Sequence, residues 1–165
     1  AAALLQGKGY PAKVEPTYGL DHGVFIPLKV MFPDADVPVV AMSLQASLDP
    51  ALHSALGEAL RPLRDEGVLV MGSGMSYHNL RNFSAGGPES LAFDNWLDSA
   101  LAGNCAERTE RLAQWDNAPG GRASHPREEH LIPLMVASGA GSNAPARKMW
   151  TGLVGPTHVS GWAFD

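Results

Sequence analysis

Val37-Pro38-Val39-Val40-Ala41-Met42-Ser43-Leu44 is a nearly unbroken apolar run, rich in β-branched residues. Such a run reads as a strand buried on both faces, as in a parallel sheet. Asp49-Pro50 follows it, a cap-then-proline signature of a helix start. Leu52, Leu56, Leu60 and Leu63 continue that helix, Pro62 bends its last turn, and Gly67 ends it. Val68-Leu69-Val70-Met71 is a second apolar run, and Gly72-Ser73-Gly74 is the turn leaving it. Strand, helix, strand is the unit of a parallel sheet with a right-handed crossover. The two runs are therefore expected to be neighbouring parallel strands of one central sheet.

The reading extends in both directions. Towards the N-terminus, Asp21 caps a helix over His22–Met31, with Val24, Leu28 and Met31 at helical spacing and Pro33 as the stop. Val14–Glu15 reads as a short strand, and Ala1–Gly9 as the last turns of a helix stopped by glycine. Towards the C-terminus, Gly86-Gly87-Pro88 opens a helix to about Ala102, with Leu91, Trp96, Leu97 and Leu101 as its buried stripe. A second helix runs from about Ala106 to Trp115. Asn117–Gly121 reads as a loop. A third helix covers about His125–Ser138, started by Ser124 and ended by Gly139. Met149–Val154 and Val159–Phe164 alternate around Gly155-Pro156, which reads as a closing hairpin. The expected fold is α/β in one domain over 1–165: a mostly parallel central sheet flanked by helices, with an antiparallel C-terminal hairpin.

Composition narrows the classes. The 165 residues are 45% hydrophobic, enough for a core. Twelve Lys and Arg against 17 Asp and Glu give a net charge of −5, evenly spread. That argues against a nucleic-acid partner gripped through its phosphates. No apolar run approaches the ~20 residues of a membrane-spanning helix. The single cysteine, Cys105, excludes an internal disulfide framework and a cysteine-based zinc site, and fits a cytoplasmic, reducing setting. It has no obvious base or charged activator beside it in sequence and reads as a structural thiol.

Histidine is the rich source of chemistry: His22, His53, His78, His125, His130 and His158. Sites in open α/β sheets gather at the carboxyl ends of strands. His78 lies just past such an end, on a glycine-bearing loop where an imidazole suits general-base work, or is simply a surface histidine. His125-Pro126-Arg127-Glu128-Glu129-His130 sits at an expected helix start. His125 and His130, five apart, diverge by roughly 140° on a regular helix and would not share one metal. A charged first turn favoured by the helix dipole is the bland alternative. His22 follows a cap residue, a position as fit for packing as for binding. His53 falls on the outer face of its helix and is expected to be solvated. His158 carries no signal. Gly72-Ser73-Gly74 lacks the Gly-Lys-Ser/Thr of a phosphate loop.

Several stretches, in order and at matching spacing, resemble the class III extradiol ring-cleavage dioxygenases, in particular the group similar to 4,5-DOPA dioxygenase. They are Tyr18-Gly19-Leu20-Asp21-His22-Gly23 with Pro27-Leu28, and Phe32-Pro33-Asp34-Ala35-Asp36-Val37-Pro38-Val39-Val40. They continue with Gly72-Ser73-Gly74 through His78-Asn79-Leu80, and Ala92-Phe93-Asp94-Asn95-Trp96-Leu97. Ser124 through Leu131, Gly139-Ala140, and Ser160-Gly161-Trp162-Ala163-Phe164 complete the set.

The resemblance implies a non-haem Fe(II) enzyme that binds a small aromatic diol and O₂ and opens the ring beside its hydroxyl pair. Zinc can occupy the iron site in this family. Carried over, His130 would be a metal ligand and Glu129 its rival. His78 would be the acid/base that takes a catechol proton and later assists O–O cleavage, although some descriptions of the family make it a ligand. His22 would line the pocket and hydrogen-bond substrate or oxygen. The resemblance also implies two further metal histidines near the N-terminus that have no counterpart here. The chain is thus expected to be the C-terminal portion of a catalytic domain, completed by a missing N-terminal segment or a second polypeptide. The alternatives are a non-catalytic relative that binds a small aromatic or a partner protein, and, with weaker support, a zinc hydrolase using His78 and His130.

Overall fold

Helices α3 (Pro50–Leu60) and α7 (Ile132–Ala140) form the tightest helix pair in the molecule. Glycine makes the close crossing possible. A Cβ at Gly139 would overlap the Ser54 carbonyl oxygen, and one at Gly57 would overlap that of Val136. The computed structural model describes residues 1–165. Its other helices are α1 (Ala2–Gly7), α2 (His22–Met31), α4 (Gly87–Leu101), α5 (Cys105–Leu112) and α6 (Gly121–Ser124). Strands β1 (Arg147–Val154) and β2 (Thr157–Ala163) close the chain as an antiparallel hairpin. The fold is α/β, with seven α-helices and one two-stranded sheet.

The caps follow the sequence. Asp21 accepts from Val24 N–H at 3.2 Å, and Asp49 from Leu52 N–H at 2.6 Å ahead of Pro50. Asn104 and Glu107 form a reciprocal capping box at the start of α5. Pro62 turns the end of α3 into a 3-10 stretch, Arg61–Glu66, which Gly67 stops in the left-handed region.

The main core gathers Phe93, Leu97 and Leu101 of α4 with Leu112, Trp115, Leu131 and Met135. A smaller cluster joins Leu5 to Leu56, Ala59 and Leu60. Fully buried Arg108 ties α5 to the segment after α7, donating to the carbonyls of Gly103 (3.2 Å), Ser142 (2.8 Å) and Ala144. The hairpin is pinned to α4 by Lys148, whose Nζ lies 2.9 Å from Asp94 and 2.7 Å from Asp98. The Trp162 indole N–H also donates to Asp98.

Five expectations need correction. Val37–Leu44 and Val68–Met71 form no regular strand, and they are not paired with each other or with any other strand. The mostly parallel central sheet is therefore not shown. These runs expose apolar side chains, Val40 at 81% and Leu69 at 66%, because nothing within the chain covers them. Val14–Glu15 is not a strand either. The helix expected over His125–Ser138 is split: α6 ends at Ser124 and α7 begins at Ile132. His125 precedes Pro126, which disfavours the helical region, and it sits at φ −130°, ψ 85°. The stripe of α4 rotates, so that Phe93 is buried and Leu91 is exposed. His53 is fully buried rather than solvated: its Nδ1–H donates to Asp49 O at 2.6 Å and Nε2 accepts from Gln45 N–H at 3.1 Å.

Candidate functional site

The loop that leaves Val68–Met71 is sewn to the segment between α6 and α7. Met75 N–H donates to His130 O at 3.0 Å, His78 N–H to Ser124 O at 2.9 Å, and the Asn79 side-chain amide to Ala123 O at 2.8 Å. A Cβ at Gly74 would overlap the His130 carbonyl oxygen, so only glycine permits this approach. The loop is also strapped from the hairpin: Ser160 N–H donates to Ser76 Oγ at 2.9 Å, and the Thr157 hydroxyl to Phe83 O at 2.6 Å.

These bonds bring His78 and His130 face to face. Their ring centroids are 3.5 Å apart and the planes differ by 14°. Helix α2, which His22 opens, is held against the loop by a bond from the Ser73 hydroxyl to Gly23 O. Burial holds the His130 pKa below the usual imidazole value, and the neighbouring charges of His78 and His22 add to that, while Glu129 opposes it. A neutral imidazole is the form that binds a metal or accepts a proton. The Nδ1 atom of His130 is buried with no hydrogen-bond partner. Glu129 Oε2 lies 2.9 Å from Arg127 Nε without the alignment of a hydrogen bond.

His125 was expected to point away from this site on a helical face. No regular helix runs through it to set that face, because α6 ends at Ser124. His125 is fully buried beneath the loop, edge-on to Phe93 and Trp115, with Nε2–H donating to Ser76 O at 3.1 Å. Burial, above all, pushes its pKa down to about 4. It fixes the loop that carries His78. The Ser-His-Pro sequence gave no sign of this role; the signal was the aromatic pair, Phe93 and Trp115, one on each of two other elements. Cys105 is also not as expected, because Arg61 Nη2 lies 3.2 Å from its sulfur.

A non-haem iron that binds substrate and O₂ needs several protein ligands on one face. No three His, Cys, Asp or Glu side chains of this chain converge in that way. The orphaned His130 nitrogen suits one ligand, but the residues present do not make a complete metal site. Were a metal bound, His130 would hold it, and His78 stacks on the ring of that residue rather than meeting it edge to edge.

The fold and this histidine cluster can be set beside known proteins. The chain belongs to the family described as the catalytic LigB subunit of aromatic ring-opening dioxygenase, whose sequence model matches residues 1–164. It is 42% identical over 149 residues to a 4,5-DOPA dioxygenase extradiol of Beta vulgaris, covering 87% of this chain and 55% of that protein. It is 36% identical over 150 residues to the protein of that name from Mirabilis jalapa, again covering 55% of the relative. The crystal structure of an uncharacterized Escherichia coli K12 protein superposes with a TM-score of 0.81 at 29% identity, covering 96% of this chain and 68% of that one. The chain spans about half the length of the curated relatives it matches.

Proposed function

We propose that these residues form part of an extradiol ring-cleaving dioxygenase acting on a catecholic substrate with Fe(II) and O₂. The observation that carries the reading is the stacked pair of His78 and His130 in a chain of the ring-opening dioxygenase family. His130 serves as a metal ligand through its unpartnered side. The remaining ligands come from polypeptide beyond these residues. The bound metal would supply a site at which catechol and O₂ meet.

The chain's own residues do the rest. His78 faces the ligand ring without sharing its metal, and its imidazole takes a proton from a catechol hydroxyl. His22 hydrogen-bonds a substrate oxygen. Burial favours the neutral form of His130, the form that binds a metal.

The test is oxygen uptake with DOPA, protocatechuate and related catechols, together with iron and zinc analysis, on the protein completed by its remaining ligands. His78→Ala should lower turnover by roughly 10²–10⁴-fold and keep most of the metal. His130→Ala should lose the metal. Equal loss of iron in both variants would make His78 a ligand and overturn its role. Binding of a catechol with no oxygen uptake would instead assign a non-catalytic aromatic binder.

A further inference from the structure

Arg61, Arg64 and Arg108 meet at the end of α7, and no carboxylate pairs with any of them. Arg61 and Arg64 belong to the 3-10 stretch, where residues three apart stand on one side. Arg61 Nη2 donates to Gly139 O at 2.9 Å, and Arg64 Nη1 to Ala140 O at 3.3 Å. Arg108 has no donor to spare, because Nε, Nη1 and Nη2 all go to groups of Gly103, Ser138, Ser142 and Ala144. The other two keep donors in hand. Arg64 makes no second bond. Arg61 adds only its contact with the Cys105 sulfur at 3.2 Å, and its Nε is buried with no acceptor. Capping the carbonyls of α7 therefore uses one nitrogen of each of these side chains. The roughly half charge at a helix C-terminus also falls short of three cations.

Arg61 and Arg64 line a cavity of about 550 Å³ together with Asp65, Val68, Leu69 and Ser142. The Ser142 Oγ accepts from Ala144 N–H, and its own proton is free to donate. A guanidinium fork matches a planar carboxylate, which takes two parallel N–H···O bonds from it. Asp65 sets the charge that the cavity favours, because its carboxylate repels a doubly charged phosphate more than a singly charged carboxylate. Val68 and Leu69 supply an apolar wall beside the cations. We propose that this cavity binds a small organic carboxylate. Its oxygens are held by Arg61, Arg64 and the Ser142 hydroxyl, and its carbon chain lies against Val68 and Leu69. No histidine lines the cavity, so the inference does not rest on the ring-opening chemistry, and a catalytically inert protein would leave it standing.

The experiment titrates the purified protein with butyrate at constant ionic strength and pH 7.5, read by NMR from the guanidinium Nε–H resonances of Arg61 and Arg64. Both should shift saturably, and neither butanol nor chloride should move them. Arg64→Gln should weaken butyrate binding at least about tenfold, the worth of one charge-assisted hydrogen bond. Arg64→Lys keeps the charge without the fork and should not restore it. Asp65→Asn changes an exposed residue and should raise the affinity for inorganic phosphate more than that for butyrate. Absent shifts overturn the proposal, as do shifts that chloride reproduces. Tighter binding of phosphate than of butyrate by the parent protein overturns it too, and so does an Arg64→Gln protein of unchanged circular dichroism that binds butyrate as the parent does. Should Arg64→Gln fail to fold, Asp65→Asn decides: an unchanged preference between the two anions overturns the proposal.

Discussion

Acidification should unfold this protein through His125. The side chain is fully buried, and its Nε2–H is committed to Ser76 O. A second proton must go on Nδ1, which is buried and has no acceptor. This agrees with a folded pKa of about 4 against an ordinary value of 6.5. Because the folded value is depressed, the unfolded chain binds the proton first as pH falls. The stabilisation is therefore complete above pH 6.5, falls between 6.5 and about 4, and is lost below. The difference in pKa corresponds to about 3 kcal/mol, at 1.36 kcal/mol per unit. Urea unfolding followed by circular dichroism between pH 7 and 4 measures it. His125→Gln retains a donor for Ser76 O but cannot titrate. Its stability at pH 7 should be lower, yet it should lose about 3 kcal/mol less than the parent on going to pH 4. Parallel losses in the two proteins would refute the assignment to His125.

Other consequences follow from single contacts. Gly74→Ala drives a methyl into the His130 carbonyl; it should cost about 1–3 kcal/mol and disturb the stacked imidazoles, which histidine NMR shifts would report. Gly139→Ala should separate α3 from α7 and lower Tm by several degrees, read by calorimetry. Lys148→Met leaves the buried Asp94 carboxylate without its cation and should cost roughly 3 kcal/mol in chemical denaturation; Lys148→Arg should recover part of it.

Much of the helical framework was legible because its signals are local. Asp21, Asp49-Pro50 and Gly67 act within one turn of the chain, and the elements they bound fall where their types require. The hairpin was legible for the same reason, from alternation around Gly155-Pro156. The parallel sheet was not, because an apolar run declares burial without naming the neighbour that buries it. Val37–Leu44 and Val68–Met71 have the composition of interior strands and still lie unpaired. At the site, the geometry brings His78 and His130 together, and the roles of His22, His78 and His130 stay proposals. The buried states of His53 and His125 were hidden because each depends on partners distant or off-pattern in sequence. His53 caps a turn at Gln45, and His125 packs on Phe93 and Trp115.

The strap from Ser160 to Ser76 joins residues 84 positions apart, and that from Thr157 to Phe83 spans 74. Both close over long separations, as does the contact between α3 and α7. The loop bearing His78 is therefore held by residues far from it in sequence, and the histidine pair is set only once such distant partners have met.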